Sequence, residues 1–104
     1  AENWDANNLL CKLRTWQTCD ISIGPIYNGN FEEALKSIKA KSILMPCTQD
    51  LYFPPEDNAI EASHMLNAEF RPFDSPWGHC AANPGNDSDF TQALEKSLQE
   101  LLEY

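Results

Sequence analysis

Two residues of this sequence have the right types and places for acid–base chemistry. They are Asp50, in "TQDLYFPPED", and His79, in "SPWGHC". Each follows a short apolar run that reads as a strand, so each falls in a loop at a strand's carboxyl end. In open α/β sheets that rim is where reactive groups gather. A carboxylate beside an imidazole accepts its Nδ1–H, fixes the tautomer and stabilises the charged ring. Nε2 is then free to take a proton from a nucleophile. The chain offers the acid and then the base, but no nucleophile. The serines at 22, 37, 42, 63, 75, 88 and 97 all lack the G-x-S-x-G flanks of a strand-to-helix elbow.

The other reactive side chains carry blander readings. Cys80 adjoins His79, but adjacent side chains rarely aim at each other, and Cys47 ends a strand. His64 sits mid-helix beside Met65 as a structural or solvated residue. Trp77, Cys80 and Arg14 are the remaining candidates, for substrate contact. Plain packing for Trp77 and a solvated or salt-bridged cation for Arg14 are their defaults. Trp16 reads as packing. No Cys/His set has zinc-like spacing, so no metal site is expected.

The elements that must position Asp50 and His79 follow from apolar periodicity. "NWDANNLLCKLRTWQTCD" places Ala6, Leu9, Leu10, Leu13 and Trp16 on one helical stripe. "ISIGPIYNGN" is a break. "NFEEALKSIKAK" starts with Asn30 and Glu33 in capping-box register, with Phe31, Leu35 and Ile38 on its buried face. "SILMPC" is a continuous apolar strand of the kind covered on both faces, with Pro46 near its end. The double proline after Phe53 opens a helix, "EDNAIEASHML", that buries Ile60 with Ala59 and Met65. Its Glu56 and Asp57 complement the helix dipole. "AEFRPF" is a second strand, suited by Arg71 and Pro72 to an edge. "ANPGNDSD" is a polar loop whose acids read as solvated caps. A last amphipathic helix carries Phe90, Ala93, Leu94, Leu98, Leu101 and Leu102.

Strand, helix, strand in that order implies a parallel pair with a right-handed crossover. Two parallel strands are seldom stable alone, and parallel sheets are normally wide and covered on both faces. The fold class is therefore α/β, with residues 1–104 forming a single segment of a larger sheet. The missing strands come from another chain or from a part not present here.

The bulk properties exclude several functions. A formal charge of −9 disfavours nucleic acid and anionic membranes. No apolar run approaches the ~18 residues that span a bilayer, and no signal peptide is visible. The chain begins at Ala1 rather than Met, which is compatible with removal of an upstream segment. Cys11 and Cys19 share a helix, about 12 Å apart at 1.5 Å rise per residue, too far for a disulfide. All four cysteines are expected to be free and mostly buried. That favours a reducing, intracellular compartment, cytoplasm or mitochondrion.

The blocks "WDANNLLCKLRTWQTCDIS", "TQDLYFPPEDN" and "WGHCAANPGN" resemble the C-terminal third of the homoserine O-acetyltransferase-like branch of the α/β-hydrolase superfamily. The resemblance runs over nearly the whole chain. It implies that Asp50 and His79 are the acid and base of a Ser-Asp-His triad. It also implies ping-pong acyl transfer from acetyl-CoA, as a substrate and not a bound cofactor, to a hydroxyl acceptor. One departure matters. Family members that use homoserine resemble one another in an aspartate directly after the histidine, whereas this sequence has Cys80. Simple ester hydrolysis or another acceptor then becomes credible.

Two functions from different classes remain. In one, the chain completes an acyltransferase or esterase with a separate α/β-hydrolase segment that carries the serine. In the other, it is a non-catalytic domain that covers its strand edge by homo-oligomerisation. Alone, it is expected to be inactive, because the base has no nucleophile to activate and no oxyanion hole beside it.

Overall fold

The computed structural model describes residues 5–103. The chain divides into two compact units, one up to Ala34 and one from Leu35.

The first unit is built on α1 (Ala6–Thr18). Asp5 caps it, its Oδ1 accepting the Asn7 and Asn8 N–H groups at 2.8 and 3.3 Å. The predicted apolar stripe is there but uncovered: Leu9, Leu10, Leu13 and Trp16 are each 45% exposed or more. The break that follows turns at Asn28 and Gly29, both with positive φ. Its anchor is the fully buried Ser22, whose hydroxyl bonds Asp20 at 2.6 Å. The helix α2 (Phe31–Lys36) is shorter than the sequence predicts. Asn30 caps it through the Glu33 N–H at 3.1 Å, as the capping register requires. Of its expected buried face, Leu35 is buried and Phe31 is 40% exposed.

The second unit holds the sheet. Strand β1 (Ser42–Leu44) and strand β2 (Ala68–Phe70) run parallel, with Ser42 opposite Ala68 and Leu44 opposite Phe70. Between them runs α3 (Pro55–His64), which starts at Pro55 as the missing proline N–H allows. The pairing persists past the strands as a parallel bridge, Cys47 to Phe73. The Phe73 N–H reaches the Pro46 carbonyl at 2.9 Å, and the Thr48 N–H reaches the Phe73 carbonyl at 2.9 Å. A 3-10 turn (Gly78–Ala82) and α4 (Ser88–Leu102) complete the unit. Arg71 ties β2 to α4. Its Nε bonds Glu69 at 2.8 Å, its Nη1 the buried Ser97 at 2.9 Å, and its Nη2 Glu100 at 2.8 Å.

Strand–helix–strand and the parallel pairing match the sequence expectation. Burial does not. β1 is only partly covered, and Ile60 of α3 is 57% exposed, not buried. On α4 the buried residue is Ser97, while Leu98 and Leu102 are 51% and 85% exposed. The cause is the same in each case. An apolar face is buried only if another layer lies on it, and the two strands and four helices among the described residues do not supply that layer. The cysteines are all free, as expected, but only Cys47 is buried; Cys11, Cys19 and Cys80 are exposed. Among the described residues no helix is long and apolar enough to cross a membrane.

Candidate functional site

The site is built where the two strand-end loops meet. The Cys47–Phe73 bridge sets them side by side, and the Thr48 hydroxyl bonds the Asp74 carboxylate across the gap. One residue further along each loop, the Ser75 N–H donates to the Gln49 side-chain oxygen at 2.8 Å. The loops are therefore stitched together before either reactive residue is reached.

Asp50 follows at once. Its N–H reaches the Cys47 carbonyl at 3.0 Å, so the chain turns and points the carboxylate back into the loop junction. The residue is buried. Oδ1 accepts the Tyr52 N–H at 2.7 Å and the Phe53 N–H at 3.0 Å. Oδ2 faces His79 Nδ1 at 3.0 Å. Burial works to raise the carboxyl's pKa. The Phe53 N–H, His79 and the Tyr52 N–H together outweigh it and hold the group below its ordinary 3.8. Asp50 is thus kept as the anion that an imidazole partner needs.

His79 sits at the second position of the 3-10 turn. Its ring lies tilted against Tyr52 and Phe53, at 33° and 47°, with centroids at 4.9 and 5.2 Å. The Tyr52–Phe53 pair consequently serves both partners: the backbone holds the carboxylate and the rings brace the imidazole. With Nδ1 on Asp50, Nε2 lies on the far edge of a half-exposed ring. Gly78 makes the approach possible. Its φ is +51°, and a Cβ there would stand 2.9 Å from the Gln49 carbonyl oxygen. An open hollow of about 320 Å³ adjoins the pair, walled by Met45, Pro46, Phe53 and Phe90.

The remaining predicted residues are placed unequally. Trp77 and Cys80 flank His79 in its turn, and both are exposed. Arg14 lies on α1 in the first unit and is exposed there. His64 ends α3 rather than sitting mid-helix. Among the described residues no group of His, Cys, Asp or Glu is arranged to hold a metal ion.

Three contributors escaped the sequence reading: Gln49, Ser75 and Asp87. The acid run at 86–89 was expected to hold solvated caps. Asp87 does cap α4, its Oδ1 accepting the Phe90 N–H at 2.9 Å, but its Oδ2 takes the hydroxyl of the buried Ser75. A cap residue that is also committed to a distant loop leaves no periodic signal.

No family model matches the chain. It is 38% identical over 98 residues to the ethyl acetate hydrolase of Pseudomonas veronii, a match of 94% of this chain and 27% of that protein. A homoserine O-acetyltransferase of Symbiobacterium thermophilum is 33% identical over 84 residues, 77% of this chain and 21% of its own length. Among solved structures, an acetylester hydrolase from Corynebacterium glutamicum superposes with a TM-score of 0.86 at 31% identity, covering 97% of this chain and 28% of that one. The similarity supports an α/β-hydrolase-related family. The chain spans about a quarter of the length of the curated relatives it matches. Proteins named as ester hydrolases and proteins named as acetyltransferases both lie among those relatives.

Proposed function

We propose that this chain supplies the acid and base of an ester-hydrolysing Ser-Asp-His site whose serine lies outside these 104 residues. The observation that carries the reading is the 3.0 Å contact between His79 Nδ1 and Asp50 Oδ2. In this reading His79 Nε2 takes the proton of a serine hydroxyl as its oxygen attacks the ester carbonyl. The same proton then goes to the leaving alkoxide. Water, deprotonated by Nε2 in turn, releases the acid and restores the serine. Asp50 holds the ring in the Nδ1–H tautomer and stabilises its charged form.

Two features favour water over a larger acceptor. The relative that matches 94% of the chain at 38% identity is named for ester hydrolysis. Cys80 stands where homoserine-using family members carry an aspartate, so nothing there would meet an ammonium group. The homoserine O-acetyltransferase matches favour a second reading: transfer of acetyl from acetyl-CoA to a hydroxyl acceptor, with the same two residues in the same roles.

A chimera tests this. Residues 1–104 replace the matching stretch of the Pseudomonas veronii hydrolase, and p-nitrophenyl acetate is the substrate. The chimera should turn it over, and the chain alone should not. His79→Ala should lower kcat by about a thousandfold, with Asp50→Asn close behind. An active chimera that retains its rate after His79→Ala would overturn the assignment. Acetyl-CoA with an alcohol in place of the ester separates the second reading, by whether acetate or a new ester forms.

A further inference from the structure

Beyond the Asp50–His79 pair, the turn that carries His79 is fixed by a knot of bonds around Ser75. This serine is 1% exposed, and its polar atoms are all engaged. Its N–H donates to Gln49 at 2.8 Å. Its carbonyl accepts the Gly78 N–H at 3.1 Å and the Cys47 thiol at 3.6 Å. Its hydroxyl accepts the Trp77 N–H at 3.2 Å and donates to Asp87 Oδ2. Three segments therefore converge on one residue: the loop bearing Asp50, the turn bearing His79 and the first turn of α4. Of these, Asp87 is the one group that joins the turn to a long helix, since its other oxygen caps α4.

We propose that Ser75 and Asp87 are positioning residues for His79, holding its turn against the Asp50 loop so that Nδ1 stays on the carboxylate. The inference rests on the role given to that pair under Proposed function. Among the described residues neither is hydrogen-bonded to His79 itself. The turn is close-fitting at Gly78, where a Cβ would stand 2.9 Å from the Gln49 carbonyl oxygen. The Ser75 hydroxyl also holds the Asp87 carboxyl below its ordinary pKa.

The chain has only two histidines, His64 and His79, so nitrogen NMR of the 104-residue chain with labelled histidine reads each ring's tautomer directly. Asp87→Asn and Asp87→Ser both keep an α4 cap, and neither gives Ser75 a carboxylate. At about pH 8 the Nδ1–H share of His79 should fall by about a half in both, while His64 stays unchanged. Asp50→Asn should abolish the same preference. If Asp50→Asn changes His79 and the Asp87 variants leave it at the wild-type value, the positioning role is overturned and the pair's role stands. If the wild type shows no Nδ1–H preference and Asp50→Asn changes nothing, the pair itself fails, and both readings fall. Amide spectra of the two Asp87 variants confirm that α4 remains folded.

Discussion

Asp50 divides its two oxygens between different tasks. Oδ1 fixes the loop through the Tyr52 and Phe53 N–H groups, and Oδ2 faces the imidazole. A pH dependence follows. The carboxyl's pKa lies below its ordinary 3.8, so ionised Asp50 stabilises the folded chain fully above that value. The contribution is lost as pH falls through the lowered folded value, because protonation then costs the bonds it makes. Asp50→Asn keeps the shape and removes the charge. In thermal melts the wild type should be the more stable at about pH 5, and its advantage should narrow towards about pH 3. A gap that stays constant over that range would mean that the carboxylate is not favoured by its surroundings. The disposition of Asp50 and His79 was legible from residue types and the two flanking apolar runs. The dependence of both on Tyr52 and Phe53 was not, because a backbone N–H makes the same bonds whatever side chain follows it.

At the scale of elements, the junction of two strand-end loops works only because one residue between them has no side chain. Gly78 combines a left-handed φ of +51° with a backbone oxygen 2.9 Å from where a Cβ would be. Gly78→Ala must distort the turn or push Gln49 away, and Gln49 precedes Asp50. The substitution should cost about 1–3 kcal/mol of stability, read from the denaturant midpoint. In an active chimera it should lower kcat more than the lost stability explains, because the shift acts along the His79–Asp50 contact. An alanine variant with wild-type midpoint and rate would show that the turn has room. The sequence read well where local chemistry decides. The Pro55 start of α3 and the Asn30 cap follow from short-range rules, and the parallel order of β1 and β2 from the crossover between them. It read poorly where distant partners decide. Ser75, Gln49 and Asp87 sit 26 and 12 residues apart, and only the folded loops bring them together. Arg71 was read as an edge residue. It is also the clamp between β2 and α4, for the same reason.

For the whole molecule, the question is what the apolar faces are for. Among the described residues the buried apolar side chains are Ala34 in the first unit and Leu35, Cys47 and Ala81 in the second, few for a chain of this length. Meanwhile Leu94, Leu98 and Leu102 line one side of α4 at four-residue spacing, exposed by 38%, 51% and 85%. Periodicity identified that stripe, but could not tell whether anything in the chain covers it. The chain spans about a quarter of the length of these relatives, and an apolar face is buried only where another layer lies on it. The isolated chain should therefore bind the dye ANS strongly near neutral pH and gain apparent mass with concentration in sedimentation velocity. Leu98→Glu with Leu102→Glu should weaken both effects and leave the helical signal in circular dichroism intact, since Glu is a good helix former. In the chimera with the Pseudomonas veronii hydrolase, the same pair should do the opposite of helping. Two carboxylates forced under a covering layer should lower the melting temperature sharply, because buried unpaired charge is among the costliest changes a core can suffer. A chain that stays monomeric and dye-free on its own would mean that its apolar faces need no cover. A chimera indifferent to the two glutamates would mean that α4 is not where the layers meet.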